Sequence, residues 1–440
     1  MTRSPLLIIF LTVFIDLLGF GIVLPLLPRY GEHFDAAGWQ LGLLMASFSA
    51  MQFLFAPVWG RLSDRIGRRP VLLVGLLGST LSYAAFGWIT QLGNAGPILG
   101  FSPLTWLFVS RIAAGIAGAT IPTAQAYIAD VTDAKSRGKG MALIGAAFGI
   151  GFTFGPILGA QFVPATIESA PSPAPGYVAA VLSAAAFLAA LFLLPESLKP
   201  GSTARHGRKW FDRAAMQIAL GKPYVGWVLL SVFLTTLAFA QFESTLSLLT
   251  ERLGLGARAN FYVFAYIGFI LTLSQGFLVR KYMGKLGEFR MALAGVLLMT
   301  VGLALIGLSS SDAILNMTSS VQRTVDDQVP FVYSTALMLL YWVLPITVVG
   351  YSATTPSLQS LLSLNTSDDE QGGILGVGQS MSSLARILGP LLGLSLQDYG
   401  IAWPYWSAAA LMAVCVALVC GLRGAGVSRD ATPHPEPVAV

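Results

Sequence analysis

Twelve stretches of about twenty mostly apolar residues divide this chain, and each is long enough to cross a bilayer as a helix. They fall at roughly 5–27, 40–59, 71–90, 103–127, 140–162, 176–195, 223–248, 259–279, 290–309, 333–358, 372–395 and 402–422. Hydrocarbon offers no water to backbone N–H and C=O groups, so runs of this kind must be helical. Only 11% of the 440 residues are charged, where a soluble chain carries about a quarter, and the mean hydropathy is +0.71. The expected fold class is an all-α membrane protein with twelve transmembrane helices. Met1-Thr2-Arg3 ahead of the first run resembles the start of a signal peptide. No small-residue cleavage site follows, and the run continues past Asp16 to Leu27, so the first span is expected to be retained.

The basic residues give an orientation. With the N-terminus in the cytoplasm, 20 of the 26 Lys and Arg fall in cytoplasmic segments. Four (Arg29, Arg252, Arg258 and Arg323) fall outside, and Arg111 and Arg386 lie within spans. This asymmetry predicts cytoplasmic termini and supports the span count, because one missed helix would scramble it. The most basic turn is Gly60-Arg61-Leu62-Ser63-Asp64-Arg65-Ile66-Gly67-Arg68-Arg69-Pro70. The longest cytoplasmic segment divides the spans six and six. The expected organisation is a six-helix bundle over 1–195, a linker over 196–222, a second bundle over 223–424 and a disordered cytoplasmic tail over 425–440. Residues 211–220 could form an amphipathic helix on the inner leaflet. Asn316-Met317-Thr318 is an external sequon.

The two halves repeat each other. A shift of 234 residues lays Ala119-Thr120-Ile121-Pro122 on Ala353-Thr354-Thr355-Pro356, and Gly155-Pro156-Ile157-Leu158-Gly159 on Gly389-Pro390-Leu391-Leu392-Gly393. The basic turn has a worn counterpart at Gly276–Lys281, in which Arg280 takes the place of Asp64. Two bundles of the same orientation imply a pseudo-two-fold axis along the membrane normal, with a substrate site between them near the midplane.

Four ionisable residues lie well inside spans: Asp16, Arg111, Glu243 and Arg386. Each costs about 2.5–3.5 kcal/mol at a helix centre, so each should face the interior and find a partner there. A carboxyl between burial, which favours its neutral form, and an arginine, which favours the charged form, can load and release a proton. Arginine stays charged and can only bias the carboxyl or attract an anion. The alternative is a static ion pair that holds helices together. Gln52, Gln125, Gln241 and Gln275 could contact substrate or bond between helices, and Phe20, Phe239, Phe242, Tyr262 and Tyr266 could line a pocket or pack. Gly145, Gly149, Gly151, Gly155, Pro156 and Gly159 form a small-residue stripe suited to close helix approach. Cys415 and Cys420 sit on different helix faces, and the three histidines lie in polar segments, so disulfide, metal and redox chemistry are not indicated.

At this point the chain resembles the major facilitator superfamily over about residues 5–422, and within it the twelve-span drug:proton antiporters of the tetracycline-exporter-like group. Four motifs carry the resemblance: the Gly60–Arg69 turn; Leu18-Gly19 followed by Pro25-Leu26-Leu27-Pro28; Arg111-Ile112-Ala113-Ala114-Gly115-Ile116-Ala117-Gly118-Ala119; and Gly151-Phe152-Thr153-Phe154-Gly155-Pro156-Ile157-Leu158-Gly159. It implies the major facilitator fold of two pseudo-symmetric six-helix bundles. It also implies that Gly60, Asp64, Arg65, Arg68, Arg69 and Asp130 form a conformational latch stabilising the outward-facing state. Asp16 would be linked to proton coupling and influenced by Arg111, and Gly151, Gly155, Pro156 and Gly159 would be the antiporter motif. Tetracycline exporters carry an acid in span three, where this chain has Ser82-Tyr83, and a membrane histidine in the second half, where it has none. Glu243 and Arg386 in their settings look more like relatives that carry organic anions.

The expected function is proton-coupled antiport of small amphipathic drug-like molecules by alternating access. Asp16 and Glu243 are the candidate coupling carboxyls, and Arg111, Arg386, Gln52 and Gln241 are the candidate charge partners or substrate contacts. The alternative is a carrier of an organic anion or metabolite. A membrane enzyme or sensor would need a catalytic constellation or a soluble domain, and neither is present in the sequence. No cofactor is expected beyond the proton gradient. The expected partners are substrate, protons and the bilayer, with no nucleic acid. A monomer in a bacterial inner membrane is expected.

Overall fold

A computed structural model describes residues 5–132, 137–164, 170–198, 223–311, 335–366 and 368–423. The postulated amphipathic helix, the sequon and the tail lie outside the described residues. Among the described residues, eleven helices are long and apolar enough to span a bilayer: Leu6–His33, Gly38–Ile66, Arg68–Gly93, Pro103–Val131, Leu143–Phe162, Ala174–Leu193, Tyr224–Arg252, Ala257–Leu286, Glu288–Ser309, Ala336–Leu364 and Trp403–Gly421. Asp368–Gln397 packs among them and completes twelve. They are numbered here as spans one to twelve in chain order.

Spans one, four and eight depart from regular α-helix, the first two beside prolines, which remove a backbone donor. Span one passes through a 3-10 turn at Leu24–Leu26 and continues as helix to His33, beyond the expected end at 27, because Pro25 and Pro28 redirect the chain without ending it. Span four breaks at Gly118–Thr120, just before Pro122. Span eight contains a π-helical segment at Ser274–Val279.

The helix contacts follow a two-fold pattern. Spans one with five, one with six, three with six, three with four and two with four pack in the first half. The same pairs, displaced by six, pack in the second half: seven with eleven, seven with twelve, nine with twelve, nine with ten and eight with ten. The halves meet along span two against span eleven and span five against span eight, which the same two-fold exchanges.

That meeting is confined to part of the bundle's height. One apolar cluster joins first-half residues (Leu26, Leu27, Tyr30, Leu41, Phe86) to Leu248, Phe261 and Leu394 of the second half. It lies at the end remote from the Gly60–Pro70 turn, called here the far end. A second cluster (Ile9, Val13, Leu72, Leu76, Tyr127, Ala190) lies towards the turn, at the basic end, and contains first-half residues alone. Glycines repeat the contrast. A methyl on Gly42 would come within 2.8 Å of Leu391 Cα, and one on Gly268 within 2.6 Å of the Phe152 carbonyl. At Gly60, Gly145, Gly276 or Gly376 it would meet nothing within 4 Å. The halves are therefore closed at the far end and parted at the basic end.

Within the first half, Gly155 lies so close to span one that a Cβ would stand 2.9 Å from the Leu18 carbonyl and 3.0 Å from Gly21 Cα. Overpacking of this kind costs about 1–3 kcal/mol. Gly155→Leu is expected to lower the melting temperature in detergent by several degrees, whereas Gly145→Leu leaves it unchanged; a melting curve of each variant checks this.

Candidate functional site

Asp16 lies on span one and faces the interior of its own half. Ser183 Oγ of span six donates to Asp16 Oδ1 at 3.0 Å, and Ser79 of span three lies beside the same carboxyl. Arg111 of span four is 2% exposed, and its guanidinium sits over the Phe48 ring at 4.5 Å from the centroid. Its Nε has no hydrogen-bond partner. A cation–π contact contributes about 0.5–2 kcal/mol, less than the cost of holding the charge at this depth. Arg111 is thus a partly uncompensated charge. Tyr83 of span three is buried against Gly19 and lies near both Asp16 and Arg111.

The second half holds the same ingredients on different helices. Glu243 of span seven lies in the field of Arg386 of span eleven. Tyr351 of span ten interacts with both, and its ring stacks on Phe239 with centroids 3.7 Å apart. Among the described residues, neither Asp16 nor Glu243 closes an ion pair with an arginine. Tyr83 and Tyr351 escaped the sequence reading because a buried tyrosine has no pattern separating it from core packing.

Two of the glutamines bond between helices. Gln52 Nε2 donates to the Gly118 carbonyl at 3.1 Å and so satisfies the backbone where span four breaks. Gln241 Nε2 donates to Ser407 Oγ at 2.7 Å, joining spans seven and twelve. Of the aromatics, Phe20 packs with Phe48 and Phe152, Phe242 is buried core, Tyr262 is exposed and the Tyr266 hydroxyl reaches the Tyr341 carbonyl. Gly151, Gly155 and Pro156 pack span five on span one, and Gly159 faces Phe261 of span eight. The stripe is thus both an internal seam and part of the junction between halves.

The basic turn is tighter than a loop. Gly60–Ile66 are the last turns of span two and Arg68–Pro70 the first of span three, so Gly67 alone is non-helical. Its φ of +109° suits glycine. Arg68 organises the turn. It pairs with Asp64 and donates to Ser63 Oγ at 2.8 Å and to Asp130 Oδ2 at 3.2 Å. Arg69 Nη2 donates to the Leu191 carbonyl at 2.6 Å, whereas Arg65 is exposed. Glu196, assigned above to the linker, belongs here. Its carboxylate accepts from the backbone N–H of Arg68 at 2.9 Å and of Arg69 at 3.1 Å, at the N-terminus of span three, where a negative charge is favoured. Ser197 Oγ also donates to Asp130 Oδ2. Nothing in the order of residues says which helix end Glu196 will cap. Every bond of this turn that the structure describes stays among spans one to six and the residues that directly follow span six.

The second-half counterpart needs re-registering. Gly287, with φ of +77°, joins span eight to span nine as Gly67 joins two to three, and its N–H returns to Met283 as that of Gly67 returns to Ser63. The position equivalent to Asp64 is therefore Gly284, not Arg280, and Glu288 takes the place of Arg68. The asymmetry of the repeat remains, since the aspartate is missing from the second copy.

Burial alone would push the Glu196 carboxyl up, but the N–H groups of Leu198, Arg68, Arg69 and Ser197 outweigh it and hold the group below its ordinary value of 4.5. The folded state then binds this proton more weakly than the unfolded chain. The stabilisation is present above that ordinary value and is lost as pH falls through the lowered one. Thermal stability should fall on acidification through this window, and Glu196→Gln should lose that component; melting curves across pH 3–7 measure it. Asp64→Asn should slow transport severalfold without inverting the chain, as read by vesicle uptake rates and by labelling of the termini from each side.

Comparison with known proteins follows the geometry. The Major Facilitator Superfamily profile matches residues 9–325. The class C tetracycline resistance protein of Escherichia coli is 30% identical over 97% of this chain and 98% of its own length. Multidrug resistance protein 2 of Bacillus subtilis (strain 168) is 28% identical over 94% of each chain. The crystal structure of the human organic anion transporter MFSD10 (TETRAN) superposes with a TM-score of 0.63 at 25% identity, covering 95% of this chain and 99% of that one. This twelve-span chain with two-fold related halves belongs to the major facilitator superfamily, whose members are membrane transporters and not enzymes.

Proposed function

We propose that the protein is a proton-coupled exporter of small amphipathic molecules, and that Asp16 is its principal coupling group, assisted by Glu243. The observation that carries this reading is the setting of Asp16. Its partners are serine hydroxyls, which can serve either protonation state, while no ion pair with Arg111 closes on it among the described residues. A carboxyl held this way is free to exchange a proton when rearrangement changes its distance from the arginine. The multidrug and tetracycline resistance relatives support the direction of transport. With the basic end in the cytoplasm, as the lysine and arginine count expects, the parted halves leave the pathway open inwards. The Asp64 latch, engaged only within its own half, fits that state, in which its role in the outward-facing form is in abeyance.

A second reading, a carrier of organic anions, is favoured by Arg111. Its buried guanidinium lacks a partner at Nε and could receive a carboxylate. The likeness to MFSD10 agrees with it.

Asp16→Asn is expected to lower uptake driven by a pH gradient into reconstituted inverted vesicles by tenfold or more, with the melting curve unchanged. Undiminished gradient-driven uptake would remove Asp16 as the coupling residue. The same vesicles, offered cationic, neutral and anionic amphipaths, separate the two readings. An Arg111-dependent response to anions alone selects the second.

A further inference from the structure

The densest polar network that joins the two halves lies at the far end and centres on Arg29. Arg29 sits on the restarted segment of span one and is 8% exposed. Its Nε donates to the Ser247 carbonyl at 3.2 Å and to Ser247 Oγ at 3.1 Å. Its Nη2 donates to the same carbonyl and to Thr250 Oγ1, both at 3.0 Å. Glu251 Oε2 lies 3.5 Å from Nε. Span one answers with the Pro25 carbonyl, which accepts from Ser247 Oγ at 2.8 Å and from Asn260 Nδ2 at 3.3 Å. Thr250 Oγ1 and Asn260 Oδ1 are joined at 2.7 Å, which ties span seven to span eight beneath the arginine. A single first-half cation thus knots spans seven and eight of the other half. The other charges facing this knot are Glu32 on span one and Arg252 on span seven. Arg258 adds a separate crossing, from span eight to the Val163 carbonyl.

We propose that Arg29, with Ser247, Thr250, Glu251, Asn260 and the Pro25 carbonyl, is the latch that holds the far end shut. Arg29 is thereby the positioning residue that sets the balance between the two access states. The proposal rests on the transport reading only for alternating access; proton coupling and substrate identity do not enter it.

The physical argument concerns what each group meets when the halves part. An apolar seam exposed to water loses stability in proportion to its area. A polar knot at the mouth exchanges protein partners for water, so the net loss is small per bond although the geometry is specific. Such a knot can be broken once per cycle and re-formed in the same register. It also explains why the chain restarts span one after Pro25 and Pro28 rather than ending it. The extra turns, Leu27–His33, carry Arg29 across to span seven. At the basic end, no hydrogen bond or ion pair joins the halves among the described residues, which is consistent with that end being parted here. The two latches are then on opposite faces: Asp64, Arg68 and Asp130 on one, Arg29 and its partners on the other.

The test reads the distance across the far end in the full-length protein. Spin labels replace Trp39 on span two and Tyr399 beyond span eleven, both exposed, in a background in which Cys415 and Cys420 are replaced. Pulsed electron resonance in lipid nanodiscs without substrate gives the distance distribution. The parent should show a short-distance population as the major one. Arg29→Gln should raise the ratio of long to short distances about tenfold or more, as expected for loss of a charged buried hydrogen-bond set. Arg29→Lys, which keeps the charge but not the fork, should fall between. Should Arg29→Gln fail to fold, Ser247→Ala and Thr250→Val take its place, each removing a hydroxyl partner without changing charge. The combination of Arg29→Gln with Asp64→Asn should return the ratio towards the parent's, a compensation that general destabilisation would not produce. Unchanged distance distributions in Arg29→Gln, or in both hydroxyl variants where that protein does not fold, overturn the proposal. An Asp16→Asn protein that kept its gradient-driven uptake would undo the coupling reading and leave this result untouched.

Discussion

Hydrocarbon supplies no hydrogen-bonding partner, so each polar group in this protein must be satisfied by the protein itself or by water admitted to a cavity. That constraint makes the twelve runs helical. It sends Gln52 to the broken backbone of span four and Gln241 to Ser407. It also makes the few charges inside informative, because each occupies a place where leucine would cost less. The partners are neutral hydroxyls at Asp16 and an aromatic face at Arg111, and neither charge closes an ion pair among the described residues.

The two halves solve this problem with the same components arranged differently. Each has a carboxyl on its first helix, an arginine on another helix and a tyrosine that interacts with both. The arginine moves from span four to span eleven and the tyrosine from span three to span ten. The helix packing keeps its two-fold symmetry while the polar chemistry does not. Packing depends on small residues at crossings, which the repeat retains, as in Gly155-Pro156 and Gly389-Pro390. The charges are free to migrate between helices that face the same interior, since an acid and an arginine can meet from any two of them. The turns between the second and third helices of each half follow the same logic, with an aspartate at position 64 and a glycine at its counterpart, 284.

Much of this was readable from order alone. The span count and the repeated halves follow from hydrophobic length, charge and repeat spacing, and the family resemblance implied that Asp64 and Asp130 meet arginines of the basic turn, where the structure places Arg68. Three features were not readable. The basic stretch looked like a loop because arginines and glycines are turn residues, yet packing extends both helices to within one residue of each other at Gly67. Glu196 looked like the start of a linker because Pro195 ends its apolar run, but the fold brings it to the N-terminus of span three. Arg29 looked like one external charge among four, and its partners lie more than 200 residues away.

The sequence by itself determined that the chain is a membrane protein of twelve helices in two repeated halves, because hydrophobic length, charge asymmetry and repeat spacing are local quantities that survive any arrangement of the helices; transport came from its resemblance to the major facilitator superfamily. Only the tertiary structure decided which charges meet, which end is closed and where the halves are fastened. Those depend on how helices distant in the chain are turned towards one another, and a run of apolar residues with little amphipathic bias says almost nothing about that rotation.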